Sequence, residues 1–293
     1  MQDHEPDRIW ELERSEWPVL LKEIPDAARP RTLYIKGTPP PKDALIVAIV
    51  GSRHPTTYGA AVTKDIATLL ASRGIVVASG LAIGVDGIAH DAALDAQGST
   101  IAVLGSGLDP TVLYPSMHRS LSDRIVKSGG ALFSEYAPYA KAAQWTFPER
   151  NRIIAGMAHA VIVTEAQEKS GARITAKFAL EYGREVFAVP GPITSELSLG
   201  TNQLIRDGAI PITRPEDILS VLGIADTPTL QRTDHTECSP VALCILETLS
   251  EPRTLDDIAA RVPHPHHALL VAISELELRG MILSEGSFYR KLI

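Results

Sequence analysis

Six short runs in this chain are apolar at almost every position: "LIVAIVG" from 45, "IVVASG" from 75, "TIAVLG" from 100, "GALFSEY" from 130, "AVIVTEA" from 160 and "EVFAVPG" from 185. A strand with one wet face alternates apolar and polar residues. A run without alternation is buried on both faces, which is the condition of a central strand in a parallel sheet. Between the runs lie segments such as "AAVTKDIATLLASRG", "GIAHDAALDAQG" and "ARITAKFALEYGR", with apolar residues at three- and four-residue steps. That spacing is helical. Strand and helix in strict alternation predict an α/β fold, an extended Rossmann-like doubly wound parallel sheet.

The pattern divides the chain. Residues 1–44 form a lead-in with several prolines and one short strand-like piece. Residues 45–223 carry the α/β alternation. Residues 224–237, "IADTPTLQRTDHTE", lack any period and read as a linker. Residues 238–293 predict a small winged-helix domain. "SPVALCILETLSE" is a helix capped by Ser239 with Pro240 in its first turn, and "TLDDIAARV" is a second, capped by Thr254. "PHHALLVAISELELRGMI" is a third, and "LSEGSFYRKLI" alternates around Gly286 as a hairpin does.

Composition excludes several classes. Two cysteines, Cys238 and Cys244, stand six apart without the spacing of a metal site or disulfide framework, so no metal is expected. No apolar run reaches the roughly 18 residues of a membrane span, and the start is too acidic for a signal peptide. A cytoplasmic protein without a membrane partner is expected. The net charge of −7 gives no general attraction to nucleic acid, so a polyanion would need a local basic patch.

Parallel sheets bind ligands at the carboxyl ends of their strands. Here each of the six runs ends in a polar or glycine-containing loop, and the topology predicts that all six share one rim. Gly51, Ser52 and Arg53 follow the first run, and Gly80 and Gly84 the second. Ser170 and Gly171 follow the fifth, with Arg173 and Lys177 just beyond. "FPERNRII" places Arg150, Asn151 and Arg152 before a helix leading into the fifth run. Glycines let backbone N–H groups approach an oxyanion, and arginine can grip phosphate with two bonds and stack on a base. Trp145 and Phe147 offer stacking faces, although buried anchors are the plainer reading.

Turnover is harder to find. Asp86 and His90 stand four apart, which suits a metal pair or, more simply, a first-turn acid and a packed histidine. Glu135 and Glu165 end strands, where they can act as bases or cap neighbouring loops. No serine or cysteine sits in a nucleophile elbow. The residues favour gripping phosphate over transforming it. No catalytic residue and no cofactor is expected.

The strings "VAIVGSRHPTTYG", "SGLAIGVDGIAHDAAL", "TIAVLGSGLDPTVLYP", "SEYAP", "FPERNRIIAG", "SGARITAKFALEYGREVFAVPG" and "SLGTNQLIRDGA", in this order, closely resemble the DNA-processing protein A (DprA or Smf) family of bacterial natural transformation. The resemblance runs from about 17 to 222. It implies a homodimer that binds single-stranded DNA entering the cell, protects it and helps load the RecA recombinase, without enzymatic activity. Family members usually carry Arg or Lys where this chain has Ile83, which implies one phosphate contact fewer and a flatter salt dependence. Arg173 stands where an apolar residue is common, and His118 where Asn is frequent. The C-terminal 56 residues hold five Arg or Lys against seven acids, and their third helix is apolar and acidic. That composition suits a protein contact better than duplex reading. The alternative function is a Rossmann-like nucleotide-binding protein or a nucleoside-monophosphate hydrolase. The hydrolase motif wants a carboxylate where this chain has Lys177.

Overall fold

A computed structural model of the chain describes residues 8–224, 239–249, 251–278, 281–285 and 288–291. The linker over 225–237, Cys238, Arg279 and the Gly286 turn lie outside these. The chain divides into two compact units, Met1–Asp226 and Thr227–Ile293.

The larger unit is a single sheet with helices on both faces. In chain order its elements are β1 (Ile9–Glu11), α1 (Val19–Glu23), β2 (Tyr34–Gly37), β3 (Ile46–Val50), α2 (Thr57–Ser72), β4 (Val76–Ser79), α3 (Val85–Asp95), β5 (Thr100–Val103), α4 (Arg119–Lys127), β6 (Ala131–Ser134), α5 (Thr146–Met157), β7 (Ala160–Val163), α6 (Gly171–Glu181), β8 (Glu185–Ala188), α7 (Glu196–Arg206), β9 (Ile210–Pro211) and α8 (Asp217–Val221). The sheet order is β1-β2-β6-β5-β4-β3-β7-β8-β9. From β6 to β9 every pairing is parallel, while β1 and β2 add an antiparallel edge. The six apolar runs are β3 to β8. The lead-in also belongs to this unit: β2 pairs with β6, and α1 packs beneath α5. There Gly156 allows close packing: a Cβ would sit 3.0 Å from Leu21 Cδ1 and 3.1 Å from Ile24 Cδ1, so those side chains would have to give by a few tenths of an ångström.

Alternation along one strand feeds two cores. Ile46, Ala48 and Val50 of β3 join Ile153, Ile154 and Ala176 from α5 and α6. Val47 and Ile49 join Ile66, Leu70 and Ala89 from α2 and α3. The strand order reverses between β3 and β7, since β3 leads outward to β4 and β7 leads outward to β8 on the other side. The two strands run flush, Val50 opposite Val163, so their carboxyl ends open side by side. A crevice at such a reversal is where open α/β sheets hold ligands.

The smaller unit contains α9 (Pro240–Thr248), β10 (Arg253–Thr254), α10 (Leu255–Ala259), α11 (His266–Leu278), β11 (Ile282–Glu285) and β12 (Phe288–Lys291). Ser239 Oγ accepts from the Ala242 N–H, and Thr254 and Asp257 close a reciprocal capping box. Ile245, Ile258, Leu269, Ile273 and Leu276 fill its core. The strands pair antiparallel in the order β10-β12-β11. The three helices and then the β11–β12 pair follow the order read from the sequence, which did not include β10 between the first two helices.

Candidate nucleic-acid interface

The loop after β3 is shaped from behind by glycine. A Cβ on Gly51 would meet Val85 Cγ2 at 2.7 Å and the Glu165 carbonyl at 3.0 Å. Ser52 turns the chain: its carbonyl accepts from the Val85 N–H at 3.0 Å, and its Oγ accepts from the His54 N–H at 3.0 Å. Gly84, at φ +79°, begins α3 so close to this loop that a Cβ would lie 2.4 Å from the Ser52 carbonyl oxygen and 2.5 Å from that of Arg53. A side chain there is excluded by both space and backbone conformation. The result is a fixed platform that leaves Arg53 exposed.

Arg53 projects over an aromatic floor. Its guanidinium carbon lies 5.5 Å from the Phe147 ring centroid, and Phe147 meets Tyr114 at 5.3 Å. Arg53, Gly80, Ile83, Tyr114, Phe147 and Arg150 are among the walls of a small open cleft.

Arg150 forms the cleft's inner wall. It is only 5% exposed. It donates to the Gly80 carbonyl at 2.6 Å, to the Val103 carbonyl, and from Nε to Asn151 Oδ1 at 3.2 Å. Asp86, also buried, accepts from the Gly80 N–H at 3.1 Å and the Ala82 N–H at 3.3 Å. Burial raises the Asp86 carboxyl above its ordinary range, and burial pulls Arg150 down to about 10, with Asp86 opposing the latter shift. Arg150 therefore stays charged at neutral pH. Gly80 is squeezed between the two, since a Cβ would be 2.6 Å from both guanidinium nitrogens and from Asp86 Oδ2. Leu81, fully buried, holds φ +58°, a region costly for a branched side chain, and His118 donates to its carbonyl at 2.9 Å. Neighbouring bonds hold the segment in this conformation, the pattern of strain retained at a working site.

The other residues singled out in the sequence occupy different places. "FPERNRII" lies within α5, not before it. Residues 150 and 152 are therefore two apart on a helix, roughly 200° around the axis. Arg152 points away from Arg150 and pairs with Glu135 at 2.5 Å, the two side chains 17% and 13% exposed. Asn151 donates to the Gly171 carbonyl at 3.1 Å and ties α5 to the start of α6. Ser170 holds the N-cap position of α6, but its hydroxyl makes no capping bond. Arg173 donates to the Glu168 carbonyl at 2.5 Å. Lys177 lies exposed along α6, 3.7 Å from Glu181. Arg152, Arg173 and Lys177 are not among the cleft walls.

The strand-end acids accept hydrogen bonds from their neighbours, Glu135 from Arg152. Glu165 accepts from the Thr56 N–H at 2.8 Å and the Thr56 hydroxyl at 2.5 Å, which caps α2. His90 is fully buried, its Nδ1 2.7 Å from Thr100 Oγ1, and burial pulls its pKa down to about 3. Ile83, in the position of a missing cation, is half-buried at the cleft wall. Sequence reasoning passed over Tyr114. Its only signal was an aromatic residue in the loop after β5, on the expected rim.

Residues 8–223 match the model of the family described as DNA recombination-mediator protein A. The chain belongs to that family. It is 39% identical over 276 residues to protein Smf of Escherichia coli, covering 90% of this chain and 72% of that one. Its fold matches DNA processing protein A of Streptococcus pneumoniae at a TM-score of 0.65 and 40% identity, over 73% of this chain and 74% of that one. It matches DNA processing protein A of Helicobacter pylori, whose structure addresses a single-stranded DNA binding mode, at a TM-score of 0.65 and 32% identity, over 74% of this chain and 96% of that one. Family members thus share the α/β unit that carries the cleft.

Proposed function

We propose that this protein binds single-stranded DNA at the cleft beyond the carboxyl ends of β3, β4 and β5, protects DNA entering the cell during natural transformation, and helps load the RecA recombinase as a cytoplasmic homodimer. One observation carries the DNA reading: an exposed Arg53 poised over Phe147, beside the buried but charged Arg150. This pairs a phosphate donor with a stacking face, the two elements a flexible single strand uses. The single-stranded DNA mode addressed for the Helicobacter pylori relative supports it. Transformation, RecA loading and dimerisation rest on family membership.

The protein grips and does not cleave. Ser52 Oγ is held by the His54 N–H, and Glu135 and Glu165 are engaged by Arg152 and Thr56. Among the described residues no helix is long and apolar enough to cross a membrane. The test is a titration with fluorescent single- and double-stranded oligonucleotides at two salt concentrations, followed by recovery of the DNA. Salt-sensitive, single-strand-selective binding with intact DNA is expected. Equal affinity for duplex, or repeated release of base from strands or nucleoside monophosphates, would contradict it, the latter in favour of a hydrolase.

A further inference from the structure

Trp145 stands at the N-cap position of α5 with 60% of its surface exposed. Trp17, in contrast, is buried and donates its indole N–H to the Leu12 carbonyl at 2.9 Å. A single exposed apolar side chain on a protein surface needs no explanation. This one, however, is held in place. Tyr136 meets Trp145 edge-on, with centroids 6.0 Å apart at 79°. The Tyr136 hydroxyl donates to Glu149 Oε2 at 3.2 Å. The loop leading to α5 is pinned in turn: Gly107 N–H donates to the Ala140 carbonyl at 2.8 Å, and Asp109 N–H to that of Pro138 at 3.0 Å. Gly107 permits this approach, because a Cβ there would be 2.2 Å from the Pro138 carbonyl oxygen.

The position of this indole matters because of what lies two residues on. Thr146, buried, fixes the first turn by donating its hydroxyl to the Ala143 carbonyl at 2.8 Å. Phe147 then enters the cleft beneath Arg53. Two aromatic rings thus flank the start of one rigid helix, one on the cleft floor and one outside it. We propose that Trp145 is a second base-stacking platform, which extends the interface from the cleft across the start of α5 and makes it a site for a chain of nucleotides rather than for one. This rests on the reading of the cleft as a single-strand site.

Charge around the ring selects the base over the phosphate. Glu149, which holds Tyr136, repels an anion at this spot. Lys141, exposed four residues before the ring in the sequence, and Arg53, exposed over Phe147, are cations available to neighbouring phosphates. Stacking on an indole needs only the π-face that every base has, so the platform is indifferent to sequence.

The test uses the full chain, a short and a long single-stranded oligothymidylate, and the variants Trp145→Ala and Trp145→Phe. Trp145→Ala is expected to weaken binding of the long strand roughly 5- to 150-fold, the range for loss of one base stack. It should leave the short strand less affected and the melting temperature unchanged, and Trp145→Phe should retain most of the affinity. In the wild type, the long strand should quench tryptophan emission and shield it from acrylamide, and Trp145→Ala should abolish both signals. Undiminished long-strand affinity in Trp145→Ala, beside a wild type that binds, would overturn the platform alone. A wild type that binds neither strand would overturn the cleft reading and the platform with it.

Discussion

Arg150 and Arg152 are separated by one residue on α5, yet they belong to different parts of the molecule. Arg150 turns toward the carboxyl ends of β4 and β5, where the Gly80 and Val103 carbonyls and the neighbouring Asp86 hold it at the inner wall of the cleft. Arg152 turns the opposite way and is consumed by Glu135. The sequence string makes them equivalent, and the helical period makes them opposites. Charge near a binding surface has to be counted by face, and by how much of it existing partners already use.

Removing each arginine should expose the difference. Arg150→Ala should have the largest effect, a loss of about 3–5 kcal/mol in stability, because it strands the buried Asp86 and leaves two carbonyls unpaired. Urea unfolding measures this, and a stability near wild type would show that Arg150 is held only loosely. Arg152→Ala should cost about 1–3 kcal/mol, since Glu135 is less deeply buried and only one pair is lost. Its affinity for single-stranded DNA, measured on folded protein, should equal that of the wild type, and a loss comparable to that of a cleft residue would merge the two faces again. Ile83→Lys sharpens the comparison from the cleft side. Placing a cation on a half-buried wall should tighten binding and steepen the dependence of log K on log salt by about 0.7, the single-strand value per contact. An unchanged slope would mean that the strand does not pass Ile83.

Much of the fold was legible because burial on both faces leaves an unmistakable mark. β3 to β8 were each readable as unbroken apolar runs. β9 was not, because Ile210–Pro211 is too short to show a period. β1 also escaped notice, since it is a three-residue edge strand with no buried position. The rule that ligands gather at strand ends placed Arg53 and Gly80 at the cleft. It could not tell Arg150 from Arg152, because "FPERNRII" was read as a lead-in to the helix rather than as its first turns. Tyr114 was missed because the loop between β5 and α4 has no periodicity to say which side chain faces inward. Glu135 and Glu165 stand at strand ends, where a carboxylate lies beside the N–H groups and cations of its neighbours, and each accepts from one, Arg152 for Glu135 and Thr56 for Glu165. The smaller unit was legible through its caps, Ser239 and Thr254, which mark helix starts more sharply than the apolar pattern does.

In the proposed binding mode the single strand is gripped at the face of Arg53 and Arg150. Arg53 is exposed and makes no ion pair among those of the described residues, so it can be removed without unfolding the protein. The decisive measurement is single-strand affinity of Arg53→Ala across a salt series, beside its melting temperature. A loss of roughly 1.5–3 kcal/mol in binding is expected, the scale of a charge-assisted hydrogen bond, with the melting temperature unchanged. Affinity equal to the wild type at every salt concentration would contradict it.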